Sequence, residues 1–169
     1  MGYVNDVSLT KFIQPFEIHK SAGTWTPDVT SGVISEARSA AAAAFNLFIP
    51  IPLIGSENVN QGAKLKSIDI WYKIATAAMA AAEEPVLSKM TLPADSVAMS
   101  GADITTTCDA AHDTEAERKA ADTHKMTITP ASEFYLEDAY AYFCKIAWEG
   151  AATSVFTLYG AQINCELRL

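Results

Sequence analysis

Apolar side chains fall on every second position through much of this chain, and the pattern is clearest near its end, from Glu137 to Leu169. Tyr140, Tyr142, Cys144, Ile146 and Trp148 share one parity, and Ala139, Ala141, Phe143, Lys145 and Ala147 the other. Glu149 to Thr153 interrupts the run, and alternation resumes through Ile163, Cys165, Leu167 and Leu169. Successive side chains of a strand point to opposite faces, so this pattern predicts strands with one buried face. The two runs read as a closing β-hairpin, reversing near Ala151.

Upstream, Phe45, Leu47, Ile49, Ile51 and Leu53 alternate, with Pro50 and Pro52 on the opposite parity, as an edge strand allows. Ile68, Ile70, Tyr72 and Ile74 give a second clean run, with Trp71 pointing the other way. Weaker signals predict strands at Trp25–Pro27, Val33–Arg38, Val86–Leu92 and Thr123–Thr129, the last with His124, Met126 and Ile128 on one side. Ala75 to Glu84 is rich in helix formers. It follows a strand without a cap, so continued strand and then loop is favoured over a short helix.

Pro93 to Asp122 is polar and irregular, and Asp95 to Asp122 reads as an acidic insertion. Within it Thr105–Thr107 suggests a strand and Asp113–Ala121 a helix. About eight strands, without strand–helix alternation, predict an all-β fold: an antiparallel, jelly-roll-like β-sandwich. In residues 1–22, Phe12, Ile13, Phe16 and Ile18 show no clean period; an arm that packs on a neighbour and a first strand fit equally, and the segment is set apart as an N-terminal arm, with 23–169 the sandwich domain.

The chain has 169 residues and is 50% hydrophobic, enough for one domain with its own core. Twenty acidic against twelve basic residues give a net charge of −8. That surface repels phosphate backbones and anionic lipid, which argues against nucleic acid and membrane partners. Met1 to Asp6 lacks the features of a signal peptide, so synthesis in a cytoplasm is expected. In the expected hairpin Cys144 and Cys165 would lie roughly 24 Å apart along the strands, beyond disulfide reach. All three cysteines are expected to be free thiols.

Candidate chemistry is sparse. Cys108, Asp109, His112 and Asp113 are the nearest approach to a metal cluster, but no second ligand pair accompanies them. Asp103, Asp109 and Asp113 lack the calcium-loop pattern. There is no nucleophile elbow or phosphate loop. Glu83-Glu84 and Glu137-Asp138 read as hydrated turns, with glycan cleavage a distant third hypothesis. No cofactor, metal or enzymatic activity is expected. The aromatics Trp25, Trp71, Tyr72, Tyr140, Tyr142, Trp148 and Tyr159 are the candidate contact residues, either for subunit packing or for stacking on sugar rings.

Gly23-Thr24-Trp25-Thr26, Gly62 to Tyr72 and Phe156 to Ile163 together resemble small β-sandwich virion proteins of tailed bacteriophages, over roughly Gly23–Leu169. The resemblance implies a homotrimer that decorates capsids or forms parts of tails and fibres, contacting other virion proteins and located in the virion. A self-assembling structural protein is thus the leading expectation. A carbohydrate-binding module using exposed aromatics, with a host glycan as ligand, is the alternative.

Overall fold

The computed structural model describes residues 6–52, 63–93, 95 and 97–168. Its strands begin with β1 (Asp6–Ile13), β2 (His19–Lys20), β3 (Trp25–Thr30), β4 (Val33–Arg38) and β5 (Ala44–Ile51). There follow β6 (Lys64–Ala75), β7 (Ala81–Ala82), β8 (Val86–Thr91), β9 (Gly101–Ile104) and β10 (Thr106–Cys108). A one-turn helix, α1 (Glu115–Arg118), precedes β11 (Thr123–Pro130), β12 (Phe134–Tyr135), β13 (Tyr140–Glu149) and β14 (Val155–Arg168).

All pairings are antiparallel and form two sheets, a β-sandwich. The first sheet has eight strands ordered β10-β11-β6-β14-β4-β3, with β1 added to β14 and β12 to β6. The second has six, ordered β2-β5-β13-β8-β9, with β7 added to β13. The total exceeds the expected eight because several strands are only two to four residues long, too short to show a period.

The core lies where the two apolar faces meet. Ile68, Ile70, Tyr72 and Ile74 of β6 and Phe156, Leu158, Ala161 and Ile163 of β14 face Phe45, Leu47, Ile49, Tyr142, Cys144, Ile146 and Trp148 of β5 and β13. Burying such side chains stabilises by about 1.5–3 kcal/mol each. Pro50 sits opposite Phe143, beyond the reach of the short β2, so its missing N–H faces an open edge. Ala75–Glu84 carries no helix: the backbone turns away after Ala75 and returns only as β7. Leu53, at the end of the β5 alternation, and Gly62 lie outside the described residues.

One expectation changes, and two segments gain definition. β13 and β14 are not a hairpin, because β14 pairs with β6, β4 and β1 while β13 pairs with β5, β8 and β7. The reversal after Glu149 is an arch that carries the chain from one sheet to the other. Alternation is identical in both arrangements, since each strand needs only one buried face. In the described part of residues 1–22, both β1 and β2 join the sheets. β1 pairs with β14 from Asp6↔Arg168 to Ile13↔Ala161, and Lys20 of β2 pairs with Leu47. Within the acidic insertion, β9 joins the second sheet and β10, near the strand expected at Thr105–Thr107, the first, while α1, inside the helix expected at Asp113–Ala121, is held by a capping box between Thr114 and Glu117. Arg118 of α1 is buried, donating to the carbonyls of Ala82, His112 and Asp113.

Candidate functional site: an aromatic cleft on the outer face of the larger sheet

The inward parity of β6 forces Trp71 onto the solvent side of the larger sheet, where it is half-buried. Its neighbour across β14 is Gly160, and the register skips Tyr159, because Leu158 pairs with Tyr72 and Gly160 with Trp71. This bulge bends the strand and releases Tyr159 on the outer side, a common device beside binding sites. Gly160 has φ +129°, and a Cβ there would lie 2.6 Å from the Ile13 carbonyl oxygen and 2.7 Å from Phe12 Cζ. Only glycine lets β1 approach this closely and bring Phe12 against Trp71, at a ring separation of 6.1 Å.

β4 and β1 share the same edge of β14, pairing at Phe156–Leu158 and at Ala161–Arg168 respectively. The space between them is a cleft of about 390 Å³ with Phe12, Trp71 and Tyr159 on its floor and sides. The β3–β4 hairpin overhangs it through Gly32, Val33 and Ile34, and Gln14 supplies a polar group. That hairpin turns through Ser31 (φ 54°) and Gly32 (φ 80°), the left-handed pair typical of tight hairpins. The volume falls in the range of ligand pockets. Phe12 is 42% exposed, so a large apolar ring is presented to water.

Along the same outer face runs a polar row. Asp69 is buried between β11 and β14. Its Oδ1 accepts from the Thr127 hydroxyl at 2.7 Å and its Oδ2 from Asn164 Nδ2 at 3.3 Å. Lys125 Nζ lies 3.2 Å from Asp69 Oδ2 and 5.6 Å from the Trp71 ring centre, tying the carboxylate to the aromatic. Asn164 also donates to Ser67 Oγ at 3.0 Å and accepts from Gln162 Nε2 at 2.7 Å. Each amide is thereby oriented before any ligand arrives.

Of the candidate aromatics, Trp71 and Tyr159 meet in this cleft. Tyr72, Tyr142 and Trp148 lie in the core. The Tyr72 hydroxyl donates to the Arg118 carbonyl at 2.9 Å, and burial pushes its pKa well up. Trp148 packs on Tyr72 and Phe156. Trp25 packs edge-on against Phe45 and Phe156 and donates its indole N–H to the Ala22 carbonyl. Tyr140 sits on a different sheet under the Lys89 ammonium, 3.5 Å from its ring centre. Sequence reading passed over Phe12, Asp69, Gln162 and Asn164. Their only sequence signal is outward parity beside Trp71, and β1 showed no parity at all.

Among the described residues no group of three or more His, Cys, Asp or Glu side chains could hold a metal ion. No described helix is long and apolar enough to cross a membrane. Cys108, Cys144 and Cys165 are free thiols.

The chain is an antiparallel β-sandwich protein. No protein-family model and no curated protein matches it. Among solved structures it is similar to the CBM22-1–GH10 modules of Clostridium thermocellum endo-1,4-β-D-xylanase 10B complexed with xylohexaose, with TM-score 0.44 and 10% identity over 96% of this chain. It spans only 28% of that xylanase chain. It is also similar to the family 11 carbohydrate-binding module of Clostridium thermocellum in complex with a β-1,3-1,4-mixed-linked tetrasaccharide, with TM-score 0.34 and 7% identity over 91% of this chain and 94% of that one.

Proposed function

We propose that this protein is a carbohydrate-binding module that takes a glycan on the outer face of its larger sheet. The observation that carries this reading is the adjacency of an exposed aromatic cleft and an oriented amide–carboxylate row. A sugar ring offers an apolar C–H face and a rim of hydroxyls. Trp71, Phe12 and Tyr159 suit the first and Gln162, Asn164 and Lys125 the second. The polar row fixes orientation and the rings supply contact area. No bond-breaking group is assigned to the face, and the module acts by binding. A glycan array followed by calorimetry tests this. Trp71→Ala is expected to weaken binding about tenfold, corresponding to about 1.4 kcal/mol for a lost aromatic contact. Equal affinity of the native and Trp71→Ala proteins, or no hit on the array, would refute it.

Self-association is the second reading, and with it a structural role alongside other virion proteins. It is favoured by the outer face of the smaller sheet, where Phe48, Phe143, Met90, Ala141 and Ala147 are half-buried and His19 packs on Phe48. Light scattering at micromolar concentration separates the readings: a trimer supports self-assembly and a strict monomer opposes it.

A further inference from the structure

The segment between β10 and β11 is fastened by a row of polar groups that the cleft does not use. Asp109 Oδ2 accepts from the Thr127 amide at 2.6 Å, and Oδ1 accepts from the Ala111 amide at 3.0 Å. His112 Nδ1 lies 2.8 Å from the same Oδ1. His112 Nε2 lies 3.1 Å from His124 Nδ1, and His124 Nε2 lies 2.9 Å from the Ala120 carbonyl oxygen. Both imidazoles are buried, at 6% and 8% exposure.

A carboxylate and a carbonyl oxygen only accept, so His112 Nδ1 and His124 Nε2 must each carry a hydrogen. The two remaining nitrogens face one another. A hydrogen on either makes that contact a hydrogen bond, whereas a hydrogen on neither sets two lone pairs together without water. Two neutral imidazoles bring one ring hydrogen each, and the row needs three. The geometry points to a buried proton-binding site: His112 and His124 together hold one proton more than two neutral rings, so the pair carries a single positive charge shared across its central bond.

The charges around the pair balance this assignment. Asp109 is the counter-charge in direct contact, and its carboxyl stays below its usual range. Desolvation raises its pKa, but hydrogen bonds from Thr127, His112 and Ala111 outweigh that. From α1, Arg118 donates to the His112 and Asp113 carbonyls at 2.9 Å, while the neighbouring Glu117 pushes the Asp113 carboxyl's pKa up. Lys119 points away, to the Ala80 carbonyl and Glu115. From β6, the neutral Tyr72 ring stacks on His124 at 4.6 Å. From β10, burial keeps the Cys108 thiol neutral, with Glu84 also acting on it.

The proton is therefore part of the clasp that closes the 109–122 segment over the sheet end. Removing that proton sets the two facing lone pairs together in a dry site, so raising the pH weakens the clasp and lowers stability.

Nitrogen-15 NMR of the intact protein at about pH 7.5 tests the assignment by counting ring hydrogens. Three hydrogens on the His112–His124 pair are expected, with the exposed His19 as the reference ring in the same spectrum. Hydrogens only at His112 Nδ1 and His124 Nε2, with the facing nitrogens bare, would overturn it. Urea unfolding between about pH 6.5 and 8 gives an independent reading. The folding equilibrium constant of the native protein should fall by up to about tenfold more per pH unit than that of His124→Gln. Parallel slopes would overturn the proposal, and if the variant does not fold, the NMR count decides.

Discussion

Replacing Gly160 by alanine puts one methyl group where the cleft is built, and its cost can be worked from two separable causes. The first is conformational: φ is +129°, a region that side chains rarely adopt, and strain of this kind costs about 1–3 kcal/mol. The second is steric. The new Cβ would sit 2.6 Å from the Ile13 carbonyl oxygen and 2.7 Å from Phe12 Cζ, inside contact distance of a backbone atom and a ring. The backbone cannot yield without breaking the Ile13↔Ala161 end of the β1–β14 ladder, adding about 1–3 kcal/mol in the manner of an overpacked core. Gly32→Ala is the matched control. It also has a positive φ, +80°, but its Cβ would meet nothing within 4 Å, so it should cost only the conformational part, about 1–2 kcal/mol. Urea unfolding of both variants gives the difference, and hydrogen exchange should show β1 amides exposed in Gly160→Ala alone. Gly160→Ala proving no more costly than Gly32→Ala would refute the close-approach argument, and with it the account of how Phe12 reaches Trp71.

Tyr72→Phe removes the hydroxyl that donates to the Arg118 carbonyl and leaves a buried acceptor unpaired, which should cost about 1–3 kcal/mol in denaturant unfolding. Arg38 is buried, donates to the Ala41 and Ala43 carbonyls and lies over the Phe45 ring at 4.5 Å. Arg38→Ala should cost about 3 kcal/mol or more by opening a buried cavity and removing two charge-assisted hydrogen bonds, read as a lowered urea midpoint. Burial pushes the thiol of Cys144 up to about 12 and those of Cys108 and Cys165 up to about 11. The folded pKa values are raised, so their stability contribution is complete below the unfolded value near ~8.5 and is lost as pH rises through the folded ones. Iodoacetamide at about pH 8 should therefore label the urea-unfolded chain at three sites and the native chain far more slowly.

Legibility followed burial. The parity of β5, β6, β11, β13 and β14 could be read because each strand packs one whole face against the opposite sheet, which fixes residue type at every second position. Partner choice could not be read, because the same parity serves a hairpin and an arch. Glu149 to Thr153 is long enough for either, and its sheet change is decided by which edges are free. β6 and β4 already flank the place that β14 takes. β1 was illegible for a related reason: at a half-covered edge only Ile13 is buried, so selection on the remaining positions is weak. In the 109–122 segment only the helix was legible, because the rest of its order rests on side-chain bonds from Asp109, His112 and Arg118, which leave no period.

The candidate site divides along the same line. Trp71 announced itself by pointing away from a buried run, since an aromatic on the wet parity of a central strand exposes surface that a monomer does not need. Tyr72, one residue on, differs from it only by parity, and that single step separates a core residue stacked on Phe156 from one facing water. Aromatic content alone therefore could not sort the candidates, whereas parity could sort those on long strands. What parity could not supply is the third dimension. Phe12 arrives from a strand 59 positions away in the chain, through a glycine whose sole requirement is the absence of a side chain. Thr127 then joins the outer face to the segment that follows β10. Its hydroxyl holds Asp69 beside the cleft, and its amide holds Asp109 at the head of the histidine pair. One residue of β11 thus ties the polar row beside the cleft, through its side chain, to the histidine segment, through its backbone.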